Sequence, residues 1–245
     1  MIAEAIARIL EIAKPELHTV TDVHGVESPF STKPLHQVKA TPPDLPPAVP
    51  VATLAGFADL VRAKLEEISI PGPWAIHVEN ETTVSLKNLI SDEYGRRACI
   101  IRAQPVPFRQ FKFDTWTGQE EFVIGLAALF ADSSDKAYVL SMASSLTGEA
   151  TSLNEDDGFT QRATVKAGLA HKQSVTLKPR VELAPYRTFP EVSQPVSGFV
   201  FRAKTGEGQP QLMLVEADGG RWKIDAIRTL KTALEAFDLG LPIIA

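Results

Sequence analysis

Ile2, Ile6, Ile9, Leu10 and Ala13 recur at helical spacing, with Glu4, Arg8 and Glu11 left to the other face, until Pro15 ends the run. Residues three and four apart share a helix face and proline cannot continue the hydrogen-bond ladder, so the spacing predicts a short amphipathic helix. A helix this short is marginal alone, and its stripe must dock on its own body or on a neighbouring subunit. A second stripe, Leu54, Phe57, Leu60, Val61, Lys64, Leu65 and Ile68, follows Thr53, whose hydroxyl suits an N-cap, and stops before PGP. The period then drops to two: WAIHVEN and TTVSLKNLI predict a hairpin over residues 74–90 turning through Asn80 and Glu81, and ACIIRAQPV a third strand. Phe111 and Phe113 alternate with polar neighbours as in a strand. Thr117 offers a cap, Glu120 and Glu121 suit a first helical turn, and Phe122, Leu126, Leu129 and Phe130 form one stripe. Residues 138–146 read as a second short helix.

Beyond Gly148 the texture is β. TQRATVKAGLA, KQSVTLKPRVELA, SGFVFRAK and PQLMLVEA are alternating runs separated by turn residues. A Gly-Gly turn then opens a helix carrying Ile227, Leu230, Leu234 and Phe237, with positive φ expected at Gly219 or Gly220. Eight of the eighteen prolines fall in residues 15–50, which predicts an extended, semi-rigid strap with at most edge strands near residues 18–23 and 35–38. The expectation is an α+β fold in three regions. Residues 1–50 form an N-terminal helix and proline-rich strap, 51–147 a small mixed region, and 148–245 a β-rich region whose antiparallel sheet is closed by the C-terminal helix. Unpaired sheet edges and the strap point to a homo-oligomer.

Composition changes this picture only at its margins. With 245 residues, 44% hydrophobic and 22% charged, the chain is long enough for one large core or two small ones. A net charge of -5 argues against a protein that coats nucleic acid or anionic membrane along its whole surface, though a local basic patch stays open. The one cysteine, Cys99, sits in the apolar run ACIIRA and reads as a buried thiol of a reducing compartment. The N-terminal run lacks a basic start and a small-residue cleavage site, and no stretch has the length of a membrane span. The expected location is cytoplasmic, with no membrane partner.

No catalytic or metal motif emerges, and no cofactor is expected. The five histidines are scattered, with only His18 and His24 close together, whereas zinc ligands occur at fixed short spacings. Glu155, Asp156 and Asp157 are what a solvated turn contains, and EADGGRW lacks the Lys and Ser/Thr of a phosphate loop. An enzyme would need a site assembled from scattered residues such as Asp114, Glu121, Arg187 and Asp218. Charge placement is more informative: Arg162, Lys166, Lys172, Lys178 and Arg180 occupy residues 160–180 without an acid among them. On an alternating strand Arg162, Thr164 and Lys166 share a face, which points to an anionic partner such as single-stranded nucleic acid, a nucleotide or an acidic protein surface. The competing reading is that these cations neutralise acids elsewhere in the fold or across a subunit interface.

LAPYRTFPEVSQP, with prolines at 185, 190 and 195, excludes both a helix and a central strand and reads as a stiffened connector. Tyr186 and Phe189 are expected to anchor it to the core. Arg187 between them is the exception, with Tyr186 and Arg187 candidates for partner contact. PYRTFPEVSQPVSGFVFR, followed by VEADGGRWKIDAI, resembles a domain-of-unknown-function family of bacteriophage and prophage proteins, the family that includes the prophage protein YfdQ. FKFDTWTGQEEFVIGL and NEDDGFTQRATVKAG resemble segments of the same family in phages of Gram-positive bacteria. The resemblance covers Phe111 to the C-terminus and implies a phage gene product in the cytoplasm of a bacterial host; it brings no activity, catalytic residue or cofactor. The functional expectation is a non-enzymatic phage accessory protein that binds a nucleic acid, a nucleotide or a host protein in replication support or counter-defence. Two alternatives stand beside it: a self-assembling, capsid-like shell protein, and a nucleic-acid-processing enzyme.

Overall fold

The computed structural model describes residues 4–6, 8, 16–23, 25–32, 35–37, 44–63, 72–146, 162–167, 171–206 and 209–245. The chain is α+β and divides into two compact units, Met1–Leu45 and Pro46–Ala245. Part of the expected strap is a three-stranded antiparallel sheet of β1 (Leu17–Thr21), β2 (Glu27–Thr32) and β3 (Leu35–Gln37). Strand β2 was not foreseen, because Pro29 lies inside it, opposite Thr19. The turn between β1 and β2 is closed by Asp22, whose carboxylate accepts from Val26 N–H at 3.0 Å, and by Gly25 at φ 81°.

In the larger unit the order is β4 (Val49–Val51), α1 (Leu54–Arg62), β5 (Trp74–Asn80), β6 (Thr83–Asn88), β7 (Cys99–Ala103), β8 (Thr117–Gly118), α2 (Gln119–Leu129), α3 (Ser134–Ser145), β9 (Arg162–Ala167), β10 (His171–Thr176), β11 (Val181–Leu183), β12 (Ser197–Gly206), β13 (Gln209–Glu216), α4 (Arg221–Glu235) and β14 (Ile243–Ile244). The first sheet runs β14-β5-β6-β7-β4, with antiparallel pairs at its centre and parallel pairs at both edges. Alternation puts Ile76, Val78, Val84, Leu86 and Ile101 on one face, where they are buried against Leu54 and Phe57 of α1 and Leu230 and Leu234 of α4. The predicted hairpin of residues 74–90 and the Thr53 cap are both present, the Thr53 hydroxyl accepting from Gly56 N–H at 3.0 Å. The rest of the expected second helix, beyond residue 63, and most of the expected N-terminal helix lie outside the described residues.

The second sheet is antiparallel, β11-β12-β13-β8, and its inner face packs Phe199, Phe201, Leu212 and Leu214 against Phe122 and Leu126 of α2 and Val139 and Ala143 of α3. Residues 51–147 and 148–245 are therefore not separate bodies. Strand β8 completes a sheet otherwise built after residue 180, and the C-terminal helix packs on the first sheet rather than on the C-terminal one. The apolar stripe of α4 matches a face of β5 and β6, far away in sequence, which periodicity along the chain cannot reveal. Phe111 and Phe113 are in a loop, not a strand, and their rings join Phe122, Phe130 and Phe199 at centroid distances of 5.0–6.2 Å. Gly118, not Thr117, occupies the N-cap of α2, while the Thr117 hydroxyl donates to the Leu212 carbonyl. Both Gly219 and Gly220 take positive φ, 65° and 81°, in the turn that opens α4. No helix among the described residues is long and apolar enough to cross a membrane.

Buried Lys136 of α3 fastens the end of α2. Its ammonium donates to the carbonyls of Ala127 (3.0 Å) and Phe130 (2.7 Å) and to the Asp132 carboxylate (2.9 Å), which uses all three of its protons. It satisfies carbonyls left open at the helix C-terminus, where positive charge also opposes the helix dipole.

Candidate functional site

The connector of residues 183–195 crosses from one core to the other. Leu183 and, beyond the connector, Phe199 belong to the cluster under α2 and α3, whereas Phe189 is fully buried in the cluster under α1 and α4. Proline stiffening allows the turn, and Gln194 closes it. The Gln194 side-chain oxygen accepts from the N–H groups of Arg187 (2.9 Å) and Thr188 (3.3 Å), and its amide donates to the carbonyls of Phe189 (3.0 Å) and Val192 (3.1 Å). At one end Ala131 N–H donates to the Ala184 carbonyl and Tyr186 N–H to the Leu129 carbonyl, tying the connector to the exit of α2. At the other, the Glu191 carboxylate accepts from Leu54 N–H (2.6 Å) and Ala55 N–H (3.1 Å), so a residue 137 positions away caps the N-terminus of α1. The Thr188 hydroxyl donates to the Glu81 carbonyl at the hairpin turn.

The expected roles of Tyr186 and Arg187 are exchanged in the fold. Phe189 is an anchor, as anticipated, but Tyr186 is 38% exposed and Arg187 only 4%. The Arg187 guanidinium lies 4.6 Å from the ring centre of Phe113, 4.5 Å from that of Trp222 and 5.4 Å from that of Phe199. Its Nη2 is 2.5 Å from Glu216 Oε1, an ion pair at close range. Burial draws the Arg187 pKa below its ordinary value, opposed by the carboxylates of Glu216 and Asp218. Burial raises the Asp218 carboxyl, but the bonds it accepts from Gly220 N–H and Trp222 N–H at the start of α4, together with the Ser197 hydroxyl and the charge of Arg187, hold it below the usual range. Arg187 is therefore a packing element that joins β12, β13 and the α4 turn. Its buried place was invisible in sequence, because two of its ring partners lie before it and after it at separations of 74 and 35 residues.

The basic run separates into two groups. Strands β9 and β10 form an antiparallel hairpin in which Lys166 stands opposite Lys172, Thr164 opposite Ser174, and Arg162 opposite Thr176. Arg162, Lys166 and Lys172 thus share one face with three hydroxyl residues and no acid, while Ala163, Val165 and Val175 take the other. Lys178 behaves differently. Its ammonium pairs with Asp135 at 3.0 Å and lies 4.9 Å from the Tyr138 ring centre, and its N–H donates to the Tyr138 hydroxyl. For this cation the fold supplies the neutralising acid. Arg180 is exposed, its guanidinium laid against the Cα of Gly198 so closely that a side chain there would overlap it.

Cys99 is half-buried, and burial raises its thiol pKa against the opposing charges of Arg102 and Lys87. Comparison with protein-family models, with curated proteins and with solved structures returns no match for this chain.

Proposed function

We propose that this chain is a non-enzymatic accessory protein of a bacteriophage or prophage that binds single-stranded nucleic acid through the β9–β10 hairpin. The observation that carries the reading is the register of Lys166 against Lys172. Like charges directly across an antiparallel pair destabilise it, by roughly 0.2–1 kcal/mol, unless an anion lies over them. With Arg162 on the same face and no carboxylate at any of its six positions, the hairpin offers a row of cations to a phosphate backbone. The resemblance to phage proteins supplies the setting, the bacterial cytoplasm.

The test is fluorescence anisotropy of a labelled oligothymidylate with the full chain at several salt concentrations. Binding is expected to weaken as salt rises, and a Lys166→Glu, Lys172→Glu double variant is expected to lose most of it, because two phosphate-binding cations become repulsive. No binding at low salt, or binding indifferent to the double variant, sinks the proposal.

A further inference from the structure

The loop that joins β6 to β7 holds apolar side chains out in water. Leu89, Ile90 and Tyr94 are exposed, Ile90 by 58%, although the loop is firmly built. The Asp92 carboxylate accepts from Tyr94 N–H (3.0 Å), Arg96 N–H (2.8 Å) and Arg96 Nε (2.9 Å), the Asn88 side-chain oxygen accepts from Ile90 N–H (2.9 Å), and Gly95 takes φ 77°. The Arg96 guanidinium lies 5.2 Å from the Tyr94 ring centre, so Leu89 and Ile90 carry most of the open apolar surface. Glu93 is the exposed carboxylate of the tip, and Arg97 stands at the base, next to buried Ala98. Toward the other end of β7 an open groove of about 640 Å³ runs along β4, between Pro47, Pro50 and Ala52 on one side and Pro105, Val106 and Pro107 on the other. Its polar lining residues are Gln104, whose amide donates to the Thr83 hydroxyl, and Arg102. Arg102 is exposed and adjoins the Cys99 thiol and Glu79. The Glu79 carboxylate is 4.0 Å from Arg102 but 3.0 Å from Lys87, so two cations share one acid and the groove keeps positive charge.

We infer that the β6–β7 loop of one copy docks in the β4 groove of a second copy, giving a head-to-tail assembly. The two surfaces are complementary: Leu89 and Ile90 meet walls of proline and valine, and Glu93 brings a carboxylate to Arg102. A loop already fixed by its own hydrogen bonds loses little freedom on docking. An added strand is a poor occupant, because Pro50 in the middle of β4 has no N–H and blocks that edge to further pairing. Nor can the loop fill the groove of its own chain. It leaves the sheet ahead of Cys99, whereas the wall of Pro105, Val106 and Pro107 follows Ala103, and β7 holds the two apart by roughly 17 Å. Because the two surfaces differ, the contact is heterologous and can repeat from copy to copy. It uses no residue of the β9–β10 hairpin and stands independently of the nucleic-acid reading.

The experiment follows the mass of the full chain by sedimentation velocity and light scattering from micromolar to near-millimolar concentration. The expected result is a mass that rises beyond the dimer; a monomer throughout overturns the inference. Ile90→Asp and Val106→Asp each put a carboxylate into the apolar contact and are expected to leave monomers. Mixed in equal amounts, the two variants should form dimers and nothing larger, because each pair keeps one intact loop and one intact groove. A mixture that stays monomeric, or association that neither substitution weakens, overturns the inference. Arg102→Glu should weaken association about tenfold, since the reversal removes an attraction and adds a repulsion. Glu93→Lys in the same chain should restore most of it, and a loss without recovery also overturns this docking. Ile90 and Val106 are 58% and 67% exposed, so neither substitution reaches a core. Circular dichroism and the urea midpoint of each variant separate lost contact from lost fold; if an Asp variant unfolds, the charge reversal carries the test.

Discussion

Arg187→Ala tests whether the proline-stiffened connector is a structural corner or a contact site. The guanidinium is 4% exposed and faces three aromatic rings at 4.5–5.4 Å, with Glu216 against it. A desolvated cation over aromatic rings contributes about 2 kcal/mol, and removing one partner of a buried ion pair costs about 3–5 kcal/mol when the other charge is stranded. Glu216 is 33% exposed, so water can rehydrate its carboxylate and the lower end applies. The two terms overlap, since both come from one guanidinium, and the expected loss is about 3–4 kcal/mol. For a unit of this size that lowers Tm by roughly 6–16 °C. Arg187→Met keeps a long side chain among the rings and should cost only about 1–2 kcal/mol; Arg187→Lys should fall between, because an ammonium cannot stack as a plane. Urea unfolding followed by tryptophan fluorescence and by far-ultraviolet circular dichroism measures all three. An Arg187→Ala protein with a wild-type midpoint that has lost oligothymidylate binding would refute the packing argument and make Arg187 a contact residue.

Lys136→Met should destabilise the protein by about 2 kcal/mol, because carbonyls of Ala127 and Phe130 lose a charged donor while the side-chain volume is nearly kept; a urea midpoint within error of the parent would show that water replaces the ammonium. Asp135 is held below the ordinary carboxyl range by the bond from Glu182 N–H and then by Lys178, against burial. A folded-state pKa below the unfolded one means its stabilisation is complete above about pH 4 and is lost as pH falls through the folded value. Asp135→Asn should therefore lower the midpoint at neutral pH and flatten its decline in acid, and an acid limb as steep as the parent's would refute the assignment.

Periodicity located most elements. The cap at Thr53, the hairpin of residues 74–90, the helices around Phe122 and Val139 and the strand runs after residue 160 follow from local rules, because a side chain's face is set by its position in the repeat. The same rules misplaced Phe111 and Phe113, which alternate as a strand does but are held in a loop by rings from α2 and β12. They also missed β2, since proline normally argues against a strand. On the candidate site, sequence identified the acid-free basic run and the hairpin face, but not that Lys178 meets Asp135 across 43 positions. Trp116 and Lys204, whose ammonium lies 4.3 Å from the indole ring centre, are 88 positions apart and carry no joint signal in sequence.

By itself, then, the sequence determined the α+β class, the element types, the stiffness of the connector and the placing of an acid-free set of cations, all consequences of local backbone preference and spacing. The tertiary structure decided which stripe meets which sheet and which cation has a partner. It sent α4 to the first sheet, buried Arg187 while exposing Tyr186, neutralised Lys178 and brought Trp116 beside Lys204. Those outcomes depend on pairings between segments far apart in the chain, where a charged or aromatic side chain takes its role from the neighbours that desolvate it rather than from those next to it in sequence.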